Sequence, residues 1–190
     1  GLDSRHTYPL YLAYEDYGAG IDNVLLTASY DDGQTWTSPI QVNDNSSSVD
    51  EFQPNLSVAP NGTVSVAWYD RRLPCPAAGS PEAAAAGITA FDPAAAGQSN
   101  YCVDASVQFY NADLTPIGHN ARLTQHTWDP QLNAPHPGSA FSSETFIGDY
   151  FGNDASVGTT DWFTFVSTYN AGNANPQNYQ QQVVAKVATP

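Results

Sequence analysis

Ser29-Tyr30-Asp31-Asp32-Gly33-Gln34-Thr35-Trp36 reads as a tight turn built around one carboxylate. Gly33 supplies a backbone conformation closed to other residues. The Asp31 carboxylate is placed to accept local backbone N–H groups, and Trp36 is placed to plug the turn against the sheet it closes. Short runs of alternating β-branched and aromatic residues surround it. Tyr8 to Tyr14 and Asn23 to Ser29 precede the turn and Pro39 to Val42 follows. Asn55 to Ala59 then pairs with Thr63 to Tyr69 across Pro60-Asn61-Gly62, because Asn-Gly between apolar runs is the strongest short hairpin signal.

Further runs at Val103 to Tyr110, Leu114 to Leu123, Thr145 to Phe151, Asp161 to Thr168 and Gln181 to Val187 give about ten strands. With no helix between them, that spacing is a sandwich or propeller pattern. The Ala83-Ala84-Ala85-Ala86 run alone invites a helix, boxed in by Pro81, Gly87 and Pro93.

The 190 residues are enough for one core, or at most two. Nineteen acids against five Lys and Arg leave a net charge of −14, which repels phosphate backbones and anionic lipid. Nucleic-acid and membrane-surface roles are therefore set aside. No apolar run approaches the roughly 20 residues needed to cross a bilayer. The chain begins at Gly1 rather than Met and is read as a mature or cut product. Cys75 and Cys102 favour a disulfide in an oxidising compartment over a metal site, and sequons stand at Asn45, Asn55 and Asn61. A secreted, extracellular protein is the expectation.

The turn's residues, Ser29, Asp31, Gly33, Thr35 and Trp36, fit the Asp-box pattern Ser-x-Asp-x-Gly-x-Thr-Trp, and the chain resembles the sialidase-like (BNR-repeat) β-propellers. Asp50-Glu51-Phe52-Gln53-Pro54, Ala67-Trp68-Tyr69-Asp70-Arg71-Arg72 and Phe146-Ile147-Gly148-Asp149-Tyr150-Phe151-Gly152 resemble blade openings of the same family. The resemblance implies an all-β fold, with this chain covering about half of a six-bladed propeller. Its parts would be a partial blade over 1–45, a blade over 50–125 with a disulfide-braced insertion at 73–102, and a partial blade over 142–190. A second chain or a missing segment would complete the ring.

Family members carry the Asp box on the end of the blade away from substrate, so the resemblance makes Asp31 structural. It gathers Glu15, Asp16, Tyr17, Asp50, Glu51, Asp70, Arg71, Arg72, Glu144, Tyr169 and Asn170 on the opposite face. Sialidases bind a substrate carboxylate with three arginines, attack with a Tyr–Glu pair and use an Asp as acid/base. By that analogy Glu144, Tyr169 and Asp70 are the catalytic candidates, and Arg71, Arg72, Glu51 and Tyr17 the substrate-binding ones. Three plainer readings stand beside these. Glu144 also reads as a solvated loop acid, and Asp70 as a cap or an arginine partner. Adjacent Arg71 and Arg72 in extended chain point opposite ways, so one enters the pocket and the other forms a surface or blade-to-blade ion pair.

The insertion is a lid or rim, or else a tolerated surface insertion. Asp149 reads as a Ca²⁺ ligand, a backbone-nest carboxylate or a residue packed near the central channel. No other cofactor is implied, and the four histidines lack ligand spacing. The family's Phe/Tyr-Arg-Ile-Pro motif is absent. A glycoside hydrolase acting on glycans leads, with a non-catalytic glycan-binding or structural propeller as the alternative and an enzyme of another reaction third. An acidic face with few arginines favours neutral sugars or cations over anionic sugars.

Overall fold

The computed structural model describes residues 8–88, 96–130, 147–148, 150–175 and 178–190. They form three antiparallel sheets, each a meander. The first joins β1 (Leu10–Asp16), β2 (Asn23–Ser29) and β3 (Ile40–Gln41). The middle sheet joins β4 (Glu51–Val58), β5 (Val64–Asp70), β6 (Asp104–Tyr110) and β7 (Pro116–Arg122). The third joins β8 (Gly152–Asp154), β9 (Thr160–Ser167) and β10 (Gln181–Ala188).

Side-chain alternation stacks the sheets face to face. On β5, Val64, Val66 and Trp68 pack toward Val24, Leu26 and Ala28 of the first sheet. Ala67 and Tyr69 turn the other way, onto Phe163 and Phe165 of the third sheet and onto Trp128 and Phe151. β5 and β6 are buried along their whole lengths, as strands covered on both faces must be. The Tyr69 hydroxyl also accepts a bond from Val166 N at 2.9 Å, tying the middle sheet to the third.

The Asp31 turn closes on its own polar groups. Asp31 Oδ1 accepts from Thr35 N at 2.8 Å and from Ser29 Oγ at 2.9 Å, while Thr35 Oγ1 donates to Asp31 Oδ2 at 2.6 Å. Gly33 sits at φ +84° and donates its N–H to Ser29 Oγ at 2.8 Å. The bonds from Thr35 hold the Asp31 carboxyl below its ordinary range. Trp36 stays 44% exposed and does not plug the turn, which needs no plug once Asp31 has satisfied its donors.

The β4–β5 hairpin turns at Pro60-Asn61-Gly62, with Val58 opposite Val64 and Gly62 at φ +88°. One strand begins later than expected: Gly148, at φ +94°, is incompatible with extended chain, and β8 starts only at Gly152. The rest of that run, Thr145, Phe146 and Asp149, lies outside the described residues.

Between β5 and β6 the chain makes an excursion from residue 71 to 103. The Cys75–Cys102 disulfide closes it. Within it, helix α1 (Pro81–Ala86) is capped by Ser80, whose hydroxyl accepts from Ala83 N at 3.0 Å, and ends at Gly87, φ +86°. Cys75, Cys102, Ala86 and Ile88 form its small core, against which Tyr169 packs. The Ala85 carbonyl accepts from Asn170 N and from Asn178 Nδ2, both at 2.9 Å, so the excursion is docked on the loop after β9. Among the described residues no helix is long and apolar enough to cross a membrane.

Candidate functional site

Strand direction divides the molecule into two ends. The Asp31 turn, the Pro60-Asn61-Gly62 hairpin and the β6–β7 turn lie at one end, and the Tyr30 hydroxyl donates to Ala112 O at 2.8 Å there. The end of β1, the start of β4, the end of β5, the excursion with α1 and the end of β9 lie at the other. Glu15, Asp16, Tyr17, Asp50, Glu51, Asp70, Arg71, Arg72, Tyr169 and Asn170 all belong to this second end. Glu144 and Asp149 lie outside the described residues.

The arginines separate as extended backbone requires. Arg72 turns toward the first sheet: its Nη1 bonds Asp44 at 2.6 Å, its Nη2 donates to Asn120 Oδ1 at 2.8 Å, and its Nε lies 2.7 Å from Asp70 Oδ2. It is thereby an ion-pair bridge between the first and middle sheets. Asp70 is 1% exposed and also accepts from Ser106 Oγ at 2.7 Å, so its carboxylate is a structural partner.

Glu51, Asp70 and Asp104 form one cross-strand row. Glu51 is fully buried and takes the Trp68 Nε1 bond at 2.8 Å. Burial, then the Asp70 charge, pushes its carboxyl up to about 9 against the opposing pull of Arg72 and Trp68, so it is the neutral acid at neutral pH. Asp104 holds Arg122 through Nε at 2.8 Å and Nη2 at 2.5 Å, and accepts from Thr124 and Thr127. Neither Glu51 nor Asp70 presents its carboxyl group to solvent.

Arg71 takes the other face. Its guanidinium stands 5.3 Å over the Phe52 ring and 3.8 Å from Asp50. Burial lowers its basicity, opposed by the charges of Asp50, Asp129 and Asp22. Beside it Gln53 occupies φ +54° at a bulge in β4; its N–H bonds the Glu15 carboxylate and its amide donates to Gly148 O at 2.9 Å. Tyr17 is 64% exposed in the β1–β2 turn.

Tyr169 is bonded to a partner other than the expected one. Its hydroxyl donates to Glu82 Oε2 at 2.8 Å, and Glu82 Oε1 lies 2.8 Å from His126 Nδ1. The His126 and Tyr169 rings stack with centroids 4.0 Å apart and planes 7° apart. Burial, then the Glu82 bond and charge, pushes the Tyr169 phenol up to about 12. For Glu82 burial acts upward, but the bonds from His126 and Tyr169 outweigh it and hold the carboxyl below its usual value.

Both rings line an open cleft of about 540 Å³ between the end of β7 and strands β9 and β10. Glu82 and His126 are the residues that motif reading missed. The available signal was Glu82 itself, at the start of the one helical run inside an Ala-, Gly- and Pro-rich insertion.

The sequon asparagines are placed as follows. Asn45 Nδ2 donates to Ser47, Asn55 is within β4, and Asn61 is exposed at the hairpin with its Nδ2 bonded to Pro190 O at 3.0 Å. Among the described residues no group of three or more His, Cys, Asp or Glu is placed to hold a metal ion. No protein-family model and no curated protein matches this chain.

Proposed function

We propose that this chain is part of a secreted, sialidase-like β-propeller and that it carries a glycoside-hydrolase site at the cleft beside Tyr169. Three meander sheets stacked leaf on leaf support the propeller reading, and the self-bonded Asp31 turn supports its sialidase-like type. Further leaves, from more of the same polypeptide or a second chain, would close the ring. The disulfide supports an oxidising, extracellular setting.

The observation that carries the catalytic reading is the 2.8 Å bond from the Tyr169 hydroxyl to Glu82. A phenol held up to about 12 is un-ionised at neutral pH, so its proton must leave as it attacks, and a carboxylate kept ionised beside it is the base for that transfer. In this reading Tyr169 Oη bonds the anomeric carbon, Glu82 takes the phenolic proton, and the glycosidic C–O bond breaks. Water of the open cleft protonates the leaving oxygen, and the hydroxide so formed releases the sugar from Tyr169. Glu82 returns the proton to the phenolate; His126, bonded to Glu82 through Nδ1, holds that carboxylate in place.

Tyr169→Phe and Glu82→Gln should each lower kcat on aryl glycosides by about 10²-fold or more, the usual weight of a nucleophile or general base. The complete protein turning over none of a panel of aryl glycosides would sink the proposal. The alternative, a non-catalytic glycan-binding propeller, is favoured by Glu51, Asp70 and Arg72 being committed to one another and to Asp44.

A further inference from the structure

The cleft beside Tyr169 is lined by uncharged groups apart from Lys186 and the imidazole of His126. Phe165 and Val183 supply apolar lining, and Thr124, Gln125, Ser167 and Gln181 supply hydroxyls and amides. Such a surface suits the C–H face and hydroxyls of a pyranose, with the His126–Tyr169 stack as a flat aromatic wall.

A carboxylated sugar needs a cation, ideally a bidentate guanidinium. Among the described residues no arginine lines the cleft, and Lys186 is its one Lys or Arg residue. Arg72 is held by Asp44 and Asp70, and Arg122 by Asp104. Arg71, 3.8 Å from Asp50 and with its Nε lacking a hydrogen-bond partner, is not among the residues that line the cleft. Lys186 lines the cleft, but its ammonium stands 5.8 Å from the Trp162 ring centroid. It is five residues along β10 from Gln181, which pairs with Ser167 next to the Tyr169 loop. At strand rise that is about 17 Å away. The charge nearest the stacked rings is therefore the Glu82 carboxylate, with His126 already bonded to it.

We propose that this cleft selects an uncharged sugar ring and rejects a carboxylated one, an inference that rests on the glycosidase reading for its reaction but not for its charge argument. A substrate carboxylate would have to shed water beside Glu82 with no guanidinium in the cleft lining to receive it.

The experiment compares aryl glucosides, galactosides and N-acetylglucosaminides with an aryl sialoside on the intact protein. In parallel, saturation-transfer NMR of Tyr169→Phe is run with the methyl glycosides of the same sugars. A neutral substrate turned over with kcat/KM about 100-fold above the sialoside is the expected result, the scale at which unpaired polar groups in a site discriminate. Preferred turnover of the sialoside overturns the selectivity and leaves the glycosidase reading standing. Neutral-sugar binding with no turnover of any substrate by the native protein keeps the selectivity and removes the catalytic reading. Absence of both binding and turnover overturns both.

Discussion

At the residue scale the sharpest consequence concerns Glu51. A carboxyl near 9 in the folded chain, against an ordinary value of 4.5, binds a proton in the native state that the unfolded chain has released. Between those two values the native state holds more protons, so stability falls as pH rises through that window; it is greatest, for this group, below about 4.5. Glu51→Gln keeps an oxygen for Trp68 Nε1 and removes the titration. The variant's urea midpoint should therefore decline less than the native protein's between pH 5 and 9. Parallel pH profiles of the two proteins would show instead that Glu51 is ionised when folded, with Arg72 as its counter-charge.

At the scale of elements, the excursion after β5 connects stability to the candidate site. It holds Glu82, reaches Tyr169 through a bond spanning 87 positions, and is closed by one disulfide across 27. A loop of that size is worth about 3.5 kcal/mol in the chain-entropy account. The double substitution Cys75→Ser with Cys102→Ser should lower the urea midpoint accordingly. It should also lower kcat/KM further than Ser80→Ala, which weakens only the start of α1. An unchanged kcat/KM would mean that α1 docks through Asn170 and Asn178 without the disulfide's help.

Elements set by local rules were legible in the sequence: the Asp31 turn, the Asn61-Gly62 hairpin, the Ala run bounded by Pro81 and Gly87 and the opposed Arg71 and Arg72 all depend on residues a few positions apart. The Glu82–His126–Tyr169 cluster was not, because its members meet only when the excursion folds back over the third sheet. The expectation that Glu51 binds substrate misses its burial, because nothing in the row Glu51, Asp70, Asp104 announces that burial until β4, β5 and β6 pair. Of the strand expected at Thr145 to Phe151, the described part is interrupted by Gly148, whose positive φ the alternation of side chains could not reveal.

At the scale of the whole molecule, the middle sheet is covered on both faces while its neighbours are covered on one. The first sheet presents Leu10 and Leu12, 43% and 49% exposed, and the third presents Trp162 and Val184, 47% and 58% exposed. Their chain neighbours Tyr11 and Ala13, Phe163, and Val183 and Ala185 point inward, so these four mark the outer faces of the stack. A propeller buries both faces of every leaf, and the proposed closure places another sheet against each. In the complete protein Leu12→Lys and Val184→Lys should then each cost about 2 kcal/mol, the scale for an aliphatic side chain moved out of a core. On faces open to water the same changes stay within about 0.5 kcal/mol. Losses at both positions, read from chemical unfolding, fit a ring closed on both sides. A loss at one alone means that a single further leaf is added there, and none at either means that the three-sheet stack meets solvent on both outer faces.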